Sequence, residues 1–148
     1  DRDAMVAGIA DGSVDVIATD HAPHHYDEKH VEFDRAPFGI VGLETAVSLS
    51  LDRLYHAGHV RLPRLIELLS VNPARILKVT GGTLSEGVPA DITVIAPDMK
   101  VHVQAAALKS KSKNTPFDGW ELRGGVAATF VGGRPVFVNP TGDLTVRA

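Results

Sequence analysis

Cysteine is absent from the 148 residues of this chain, which excludes disulfide bonds and thiolate ligands for a metal. Any metal ion must therefore be bound by histidine and carboxylate side chains. Clustered positive charge is missing as well, since the formal net charge is −3 and the densest basic stretch, residues 109–113, is short. We therefore predict no nucleic-acid partner, because the neutralisation of phosphates needs clustered lysine and arginine.

Long hydrophobic runs are also missing. No apolar segment approaches the roughly 20 residues that a membrane-spanning helix needs, and no signal peptide is visible at the N-terminus. We predict a cytoplasmic protein that does not contact a membrane. Hydrophobic residues make up 44% of the chain, enough for one substantial core or for parts of two smaller ones.

The most informative feature is an apolar segment that ends in polar residues. It contains Val14, Val16, Ile17 and Ala18, a nearly continuous run that predicts a strand covered on both faces. Asp20 follows this run, at the strand end where parallel α/β proteins place their chemistry. A carboxylate there can act as a metal ligand or as a general base.

A parallel strand needs neighbours, and this chain begins at Asp1 with no earlier strand for residues 14–18 to pair with. We therefore expect the chain to be the C-terminal part of a longer polypeptide.

Four of the seven histidines lie within residues 21–30, beside three carboxylates. Spacing alone leaves two interpretations open: part of a metal site, or a solvated connection whose histidines are incidental. A complete local metal site is disfavoured, because Pro23 prevents the helical arrangement that would put His21 and His25 on one face.

Residue periodicity predicts the organisation of the rest of the chain. Helical spacing indicates helices over 43–58 and 62–69, and a third from Asn72, as N-cap, to just before Gly81. After Gly81 the chain contains short segments typical of strands, at residues 92–96, 101–103, 126–131 and 135–138. Gly132 and Gly133 predict a hairpin turn. We expect an α/β part at residues 1–80 and a small β domain at residues 81–148.

Two blocks of sequence carry a family resemblance. Residues 19–24, Thr-Asp-His-Ala-Pro-His, and residues 36–45, Ala-Pro-Phe-Gly-Ile-Val-Gly-Leu-Glu-Thr, closely resemble dihydroorotases of the bacterial type I group in the amidohydrolase superfamily. Residues 72–74, 82–91 and 113–119 are similar to the C-terminal third of that family. The first two blocks are specific to dihydroorotases, whereas residues 87–94 resemble amidohydrolases in general.

The resemblance implies a fold and a set of site residues. The chain would form the C-terminal part of a (β/α)8 TIM-like barrel, followed by a small β-sandwich, with one or two zinc ions at the barrel mouth. Asp20 would contact the metal centre and transfer the proton, and His24 would bind substrate. Phe38 and Gly39 would contact the substrate through their backbone. For the Phe38 side chain itself we expect a place in the core. No such role is implied for His21 or His25, which we expect to pack the loop or lie at the surface.

The implied reaction is the opening of a cyclic amide. Zinc lowers the pKa of a bound water to about 7 and so provides a nucleophile at neutral pH. Asp20 would take the proton and return it to the ring nitrogen as the C–N bond breaks. The family's other metal ligands and its carboxylate-binding arginine would lie upstream of Asp1, so we expect the isolated chain to be inactive.

Three functions agree with these features. The first is a segment of a dihydroorotase, which interconverts (S)-dihydroorotate and N-carbamoyl-L-aspartate in de novo pyrimidine biosynthesis. The second is a metal-free homologue that is a structural partner of aspartate carbamoyltransferase, which the presence of Asp20 and His24 disfavours. The third is a hydantoinase or allantoinase, which residues 22–24 and 37–39 disfavour. The expected partners are a small-molecule substrate and either a second copy of the protein or aspartate carbamoyltransferase.

Overall fold

The computed structural model describes residues 1–140, in which a helical part packs against a three-stranded sheet. Its first two helices are α1 (Arg2–Asp11) and α2 (Tyr26–Lys29). Helix α3 (Ala46–Ser50) continues as a π-helical segment, Leu51–His56. This pair corresponds to the helix predicted over residues 43–58, because its apolar residues recur at helical spacing.

The second and third predicted helices are one continuous helix. It consists of α4 (Leu62–Ile66), a π-helical segment (Glu67–Val71) and α5 (Asn72–Leu77). The prediction of Asn72 as an N-cap is therefore wrong, since the helix passes through this residue. Asn72 is buried, and its Nδ2 donates to the carbonyl oxygen of Asp15 over 2.9 Å. The helix ends at Lys78, before Gly81 as predicted, in a left-handed conformation with φ 54°.

The sheet is an antiparallel meander. Its strands are β1 (Ile92–His102), β2 (Glu121–Val131) and β3 (Arg134–Val138), in the order β1-β2-β3. The separate segments predicted at 92–96 and 101–103 are one strand, interrupted by a register shift between Ala96 and Lys100. The predicted hairpin turn is confirmed: Gly132 and Gly133 have φ of 54° and 76°, a conformation that costs glycine little.

The predicted strand at residues 14–18 is not present. This segment has no ladder partner within residues 1–140, and it lies along the continuous helix, to which it is hydrogen bonded. The Ile17 N–H donates to the carbonyl oxygen of Leu68 over 3.0 Å, and the Arg64 guanidinium donates to the carbonyl oxygen of Val14 over 2.9 Å. A parallel ladder requires a neighbouring strand, and the apolar residues here pack against helices instead.

One hydrophobic core connects these elements. Leu51, Leu65 and Leu68 are its most completely buried side chains, and its other members include Ile9, Leu54, Val60, Val14, Ile17 and Ile95. The sheet comes close to the helices at Gly124, where a Cβ would lie 2.6 Å from Leu51 Cβ. Only glycine allows this approach, and its φ of 103° is also one that other residues rarely adopt.

No helix within residues 1–140 is long and apolar enough to cross a membrane. The described strands form a single sheet. The complete barrel, the sandwich and the division at residue 80 stay predictions.

Candidate active site

The predicted site residues lie on two neighbouring loops, residues 19–25 and residues 38–42. The Ala22 N–H donates to the carbonyl oxygen of Ile40 over 2.9 Å, beside an isolated parallel bridge between the two loops. Gly42 lies so close to the first loop that a Cβ there would be 2.9 Å from the carbonyl oxygen of Thr19. The fold therefore brings together two segments that are separated in the sequence by residues 26–37.

Asp20 is an exposed residue at the end of the extended segment. Its carboxylate makes no hydrogen bond or ion pair within residues 1–140. Its backbone has φ 42°, a left-handed conformation that costs a non-glycine residue about 1–3 kcal/mol and is found preferentially at functional sites. The loop therefore presents a carboxylate that is available to a ligand.

His24 connects the two loops through its side chain, which is 24% exposed. Its Nε2 lies 2.9 Å from the carbonyl oxygen of Phe38. Because a carbonyl oxygen can only accept, Nε2 carries the proton in this contact. Nδ1 lies 3.5 Å from a carboxylate oxygen of Glu28, which is long for a hydrogen bond. The histidine is thus positioned beside the Phe38–Gly39 peptide that the resemblance implicates.

Phe38 contributes only its backbone to this contact. Its side chain is 96% exposed, so the expectation that it packs in the core is wrong. Phe33 on the same loop is equally exposed, because the residue 30–38 loop extends away from the core, which aliphatic side chains fill. The loop is supported at its end by Lys29, whose Nζ donates to the carbonyl oxygen of Pro37 over 2.6 Å.

Gly39 occupies a position where a side chain does not fit. Its φ is 102°, and a Cβ there would lie 2.5 Å from Ala22 Cβ and 3.7 Å from His24 Nε2. The Gly39 N–H makes no hydrogen bond within residues 1–140. The amide is therefore available to an acceptor on a ligand.

His21 and His25 have the packing and surface roles that we expected. His21 Nδ1 accepts from the Gly42 N–H over 3.1 Å, which fixes the second loop. His25 forms a capping box at the start of α2, since its Nδ1 accepts from the Asp27 N–H and its own N–H donates to the Glu28 carboxylate.

Sequence reasoning missed Asn114 as a residue of this region, although it lies within the 113–119 block that resembles the family. Its side-chain Nδ2 donates to the carbonyl oxygen of Ala22 over 2.9 Å and to that of Gly39 over 3.3 Å. One amide thus bonds both loops.

The metal-binding side chains of this region would fill one position of a zinc site and would not form a complete site. No group of three or more His, Asp or Glu within the described part of the chain could hold a metal ion. His21 and His25 each accept a backbone N–H through Nδ1, so the other ring nitrogen carries the proton and has no lone pair for a metal. The Asp20 carboxylate is unengaged, and His24 Nδ1 has only the 3.5 Å contact with Glu28. A catalytic zinc ion has three protein ligands; Asp20 would supply one of them, and the described residues do not supply a full set.

The sequence profile of the amidohydrolase family matches residues 1–136. This chain therefore belongs to the amidohydrolase family.

Curated relatives within the family are named dihydroorotase. The chain is 53% identical over 137 residues to that of Geobacter sp. (strain M21), covering 93% of this chain and 32% of the relative. It is 46% identical over 136 residues to that of Acetivibrio thermocellus, covering 92% of this chain and 32% of the relative. The chain thus spans about a third of the length of the curated relatives it matches.

Solved structures of a hydantoinase and of a dihydropyrimidinase have the same fold over this region. The L-hydantoinase of Arthrobacter aurescens matches with a TM-score of 0.85 at 29% identity, over 90% of this chain and 31% of that one. The dihydropyrimidinase of Brevibacillus agri matches with a TM-score of 0.86 at 20% identity, over 93% and 31%. The second likeness concerns the fold alone.

Proposed function

We propose that this chain is a segment of a dihydroorotase, a zinc-dependent enzyme that interconverts (S)-dihydroorotate and N-carbamoyl-L-aspartate in pyrimidine biosynthesis in the cytoplasm. Relatives of that name at 46–53% identity support the proposal. The observation that carries it is the contact between His24 and the Phe38–Gly39 peptide. His24 lies on the same loop as the available carboxylate of Asp20.

Asp20 is the residue that we assign to proton transfer and to one metal position. Zinc, when bound, supplies a water of lowered pKa as the nucleophile at neutral pH. Asp20 would take a proton from the attacking water and return it to the ring nitrogen as the C–N bond breaks. The exposed, unengaged carboxylate suits both steps, since it need not leave a protein partner to accept a proton.

His24 and the Gly39 N–H are the groups that we assign to substrate binding. The carboxylate of dihydroorotate is an acceptor, and a histidine N–H makes a charge-assisted hydrogen bond with it. Nδ1 is the ring nitrogen that we assign to this contact, because its contact with Glu28 is 3.5 Å long whereas Nε2 lies 2.9 Å from the Phe38 oxygen. Because Nε2 already donates to Phe38, the ring that also donates from Nδ1 is the imidazolium. The Gly39 amide is open to a second acceptor of the ring.

The test uses a chimera in which this chain replaces the matching segment of the Geobacter sp. (strain M21) relative. We expect zinc-dependent formation of N-carbamoyl-L-aspartate from dihydroorotate, and loss of this activity in Asp20→Asn. Asp3→Asn is the matched control, since it makes the same chemical change at an exposed carboxylate on α1. Full activity of Asp20→Asn would contradict the assignment, and a chimera that is folded and zinc-loaded but inactive on dihydroorotate would contradict the proposed function.

Hydantoinase activity is the second candidate, which the 29% identity and TM-score of 0.85 with the L-hydantoinase favour. The higher identity to dihydroorotases favours dihydroorotate. Assay of the same chimera with hydantoin and with dihydroorotate separates the two.

A further inference from the structure

A loop from the sheet part of the chain reaches the candidate site. We call it the 108–115 loop after its residues, and it lies between a short 3-10 helix (Ala105–Ala107) and β2. Glu44 anchors the first half of this loop, because its carboxylate accepts from the backbone N–H groups of Lys109 over 2.8 Å and Ser110 over 3.0 Å. The loop is therefore fixed to the segment that follows the second site loop.

The second half of the 108–115 loop bonds both site loops. The Ser112 hydroxyl donates to the carbonyl oxygen of His24, and the Val41 N–H donates to the carbonyl oxygen of Asn114 over 3.1 Å. The Asn114 amide donates to Ala22 and to Gly39, as described above, and its Oδ1 accepts from the His24 N–H at 3.5 Å. The 108–115 loop is thus hydrogen bonded to both site loops through Ser112 and Asn114.

The amide of Asn114 suits this task for a stereochemical reason. Its Nδ2 carries two hydrogens at a fixed angle, and each is directed to a carbonyl on a different loop. The two loops are closely packed, since a Cβ on Gly39 would lie only 2.5 Å from Ala22 Cβ. A group that fixes the Ala22–Gly39 spacing therefore also fixes the position of the Gly39 N–H relative to His24.

We propose that Asn114 is a positioning residue that sets substrate affinity by fixing His24 and the Gly39 amide relative to each other. It acts through these two groups, not on the substrate itself. Its side-chain bonds are to Ala22, His24 and Gly39 and none is to Asp20, so we expect its loss to affect substrate binding more than proton transfer. This inference rests on the proposed function.

The test compares Asn114→Asp and Asn114→Ala with the unsubstituted chimera. Asn114→Asp keeps the shape and the Oδ1 acceptor but replaces both N–H donors with an oxygen that faces two carbonyl oxygens. We expect KM for dihydroorotate to rise about ten-fold or more in either variant, the loss expected when binding groups are displaced. We expect kcat to stay within about two-fold and the zinc content to stay unchanged.

Asn72→Ala is the matched control, because it removes another asparagine amide that donates to a backbone carbonyl outside its own helix, that of Asp15. It should lower stability without changing KM. Ser112→Ala removes one bond to the same loop and should raise KM less than Asn114→Ala; it serves as the variant to assay if Asn114→Ala does not fold. An unchanged KM in the folded Asn114 and Ser112 variants would overturn the proposal. An equal rise in KM in Asn72→Ala would overturn it as well.

Hydrogen–deuterium exchange gives a readout that does not require activity. In the Asn114 variants, peptides covering residues 19–25 and 38–42 should exchange faster, whereas in Asn72→Ala the increase should fall on residues 13–18. If the chimera is inactive but shows this pattern, the dihydroorotase proposal fails while the positioning of the two loops stands. If the chimera is active and the site loops exchange as before, the positioning role fails.

Discussion

Gly39→Ala tests the geometry of the candidate site most directly. The new Cβ would lie 2.5 Å from Ala22 Cβ, whereas carbon atoms in contact normally lie about 3.5–4.0 Å apart. The two loops would have to separate by roughly 1 Å to relieve this contact. Overpacking of this kind destabilises a folded protein by about 1–3 kcal/mol. The φ of 102° adds about 1–3 kcal/mol of backbone strain for a non-glycine residue.

Gly12→Ala is the control that separates these two costs. Its φ is 91°, and nothing lies within 4 Å of the position that a Cβ would take. Both substitutions place a non-glycine residue at a positive φ and restrict the unfolded chain equally, so we assign the larger part of the difference between them to the contact with Ala22. We expect Gly39→Ala to be the more destabilising by about 1–3 kcal/mol.

The assay is urea unfolding of the two variants in the chimera, followed by kinetics with dihydroorotate. A loop displacement of about 1 Å at binding groups can lower the reaction rate by about 100-fold. We therefore expect a fall of this order in kcat/KM for Gly39→Ala and no change for Gly12→Ala. Equal destabilisation by the two variants, with equal kcat/KM, would refute the close contact between the site loops.

Three further predictions concern the site and the isolated chain. Asp20→Ala should abolish turnover while circular dichroism shows an intact fold, because the exposed carboxylate contributes no packing. His24→Ala should weaken substrate binding by roughly ten- to a hundred-fold, since loss of a hydrogen bond to a charged group costs about 1.5–3 kcal/mol; titration calorimetry measures this. The isolated 148-residue chain should bind no zinc tightly, hydrolyse no dihydroorotate and self-associate, because apolar residues such as Leu77 and Leu84 are exposed. A monodisperse, zinc-loaded and active monomer in sedimentation would contradict the last prediction.

The helices and the hairpin could be predicted from the sequence because their signals are local. The apolar spacing over residues 43–58 and the pair Gly132–Gly133 each specify conformation within a few residues. The strand at residues 14–18 was predicted wrongly for the opposite reason. A parallel strand is defined by its neighbours, and in this structure Val14 and Ile17 pack against the core that contains Leu65 and Leu68.

The candidate site was predictable only in part. The motif in residues 19–24 and the Phe38–Gly39 pair led to two loops that the structure places side by side. Asn114 could not be found in this way, because its partners Ala22 and Gly39 are 92 and 75 residues away. An asparagine in a polar loop has no sequence signal that indicates which distant carbonyl groups its amide bonds.

The sheet contains none of the proposed catalytic residues, yet the 108–115 loop lies between its strands β1 and β2 in the chain. The sheet is fixed to the π-helical segment Leu51–His56 by the close approach at Gly124. Two hydrogen bonds add to this contact: the Arg123 N–H donates to the Asp52 carboxylate over 2.8 Å, and His56 Nε2 donates to the carbonyl oxygen of Pro97 over 2.7 Å. Substitutions that loosen this contact would move Asn114 relative to both site loops. Their effect should therefore fall on KM before it falls on kcat, although they lie outside the site.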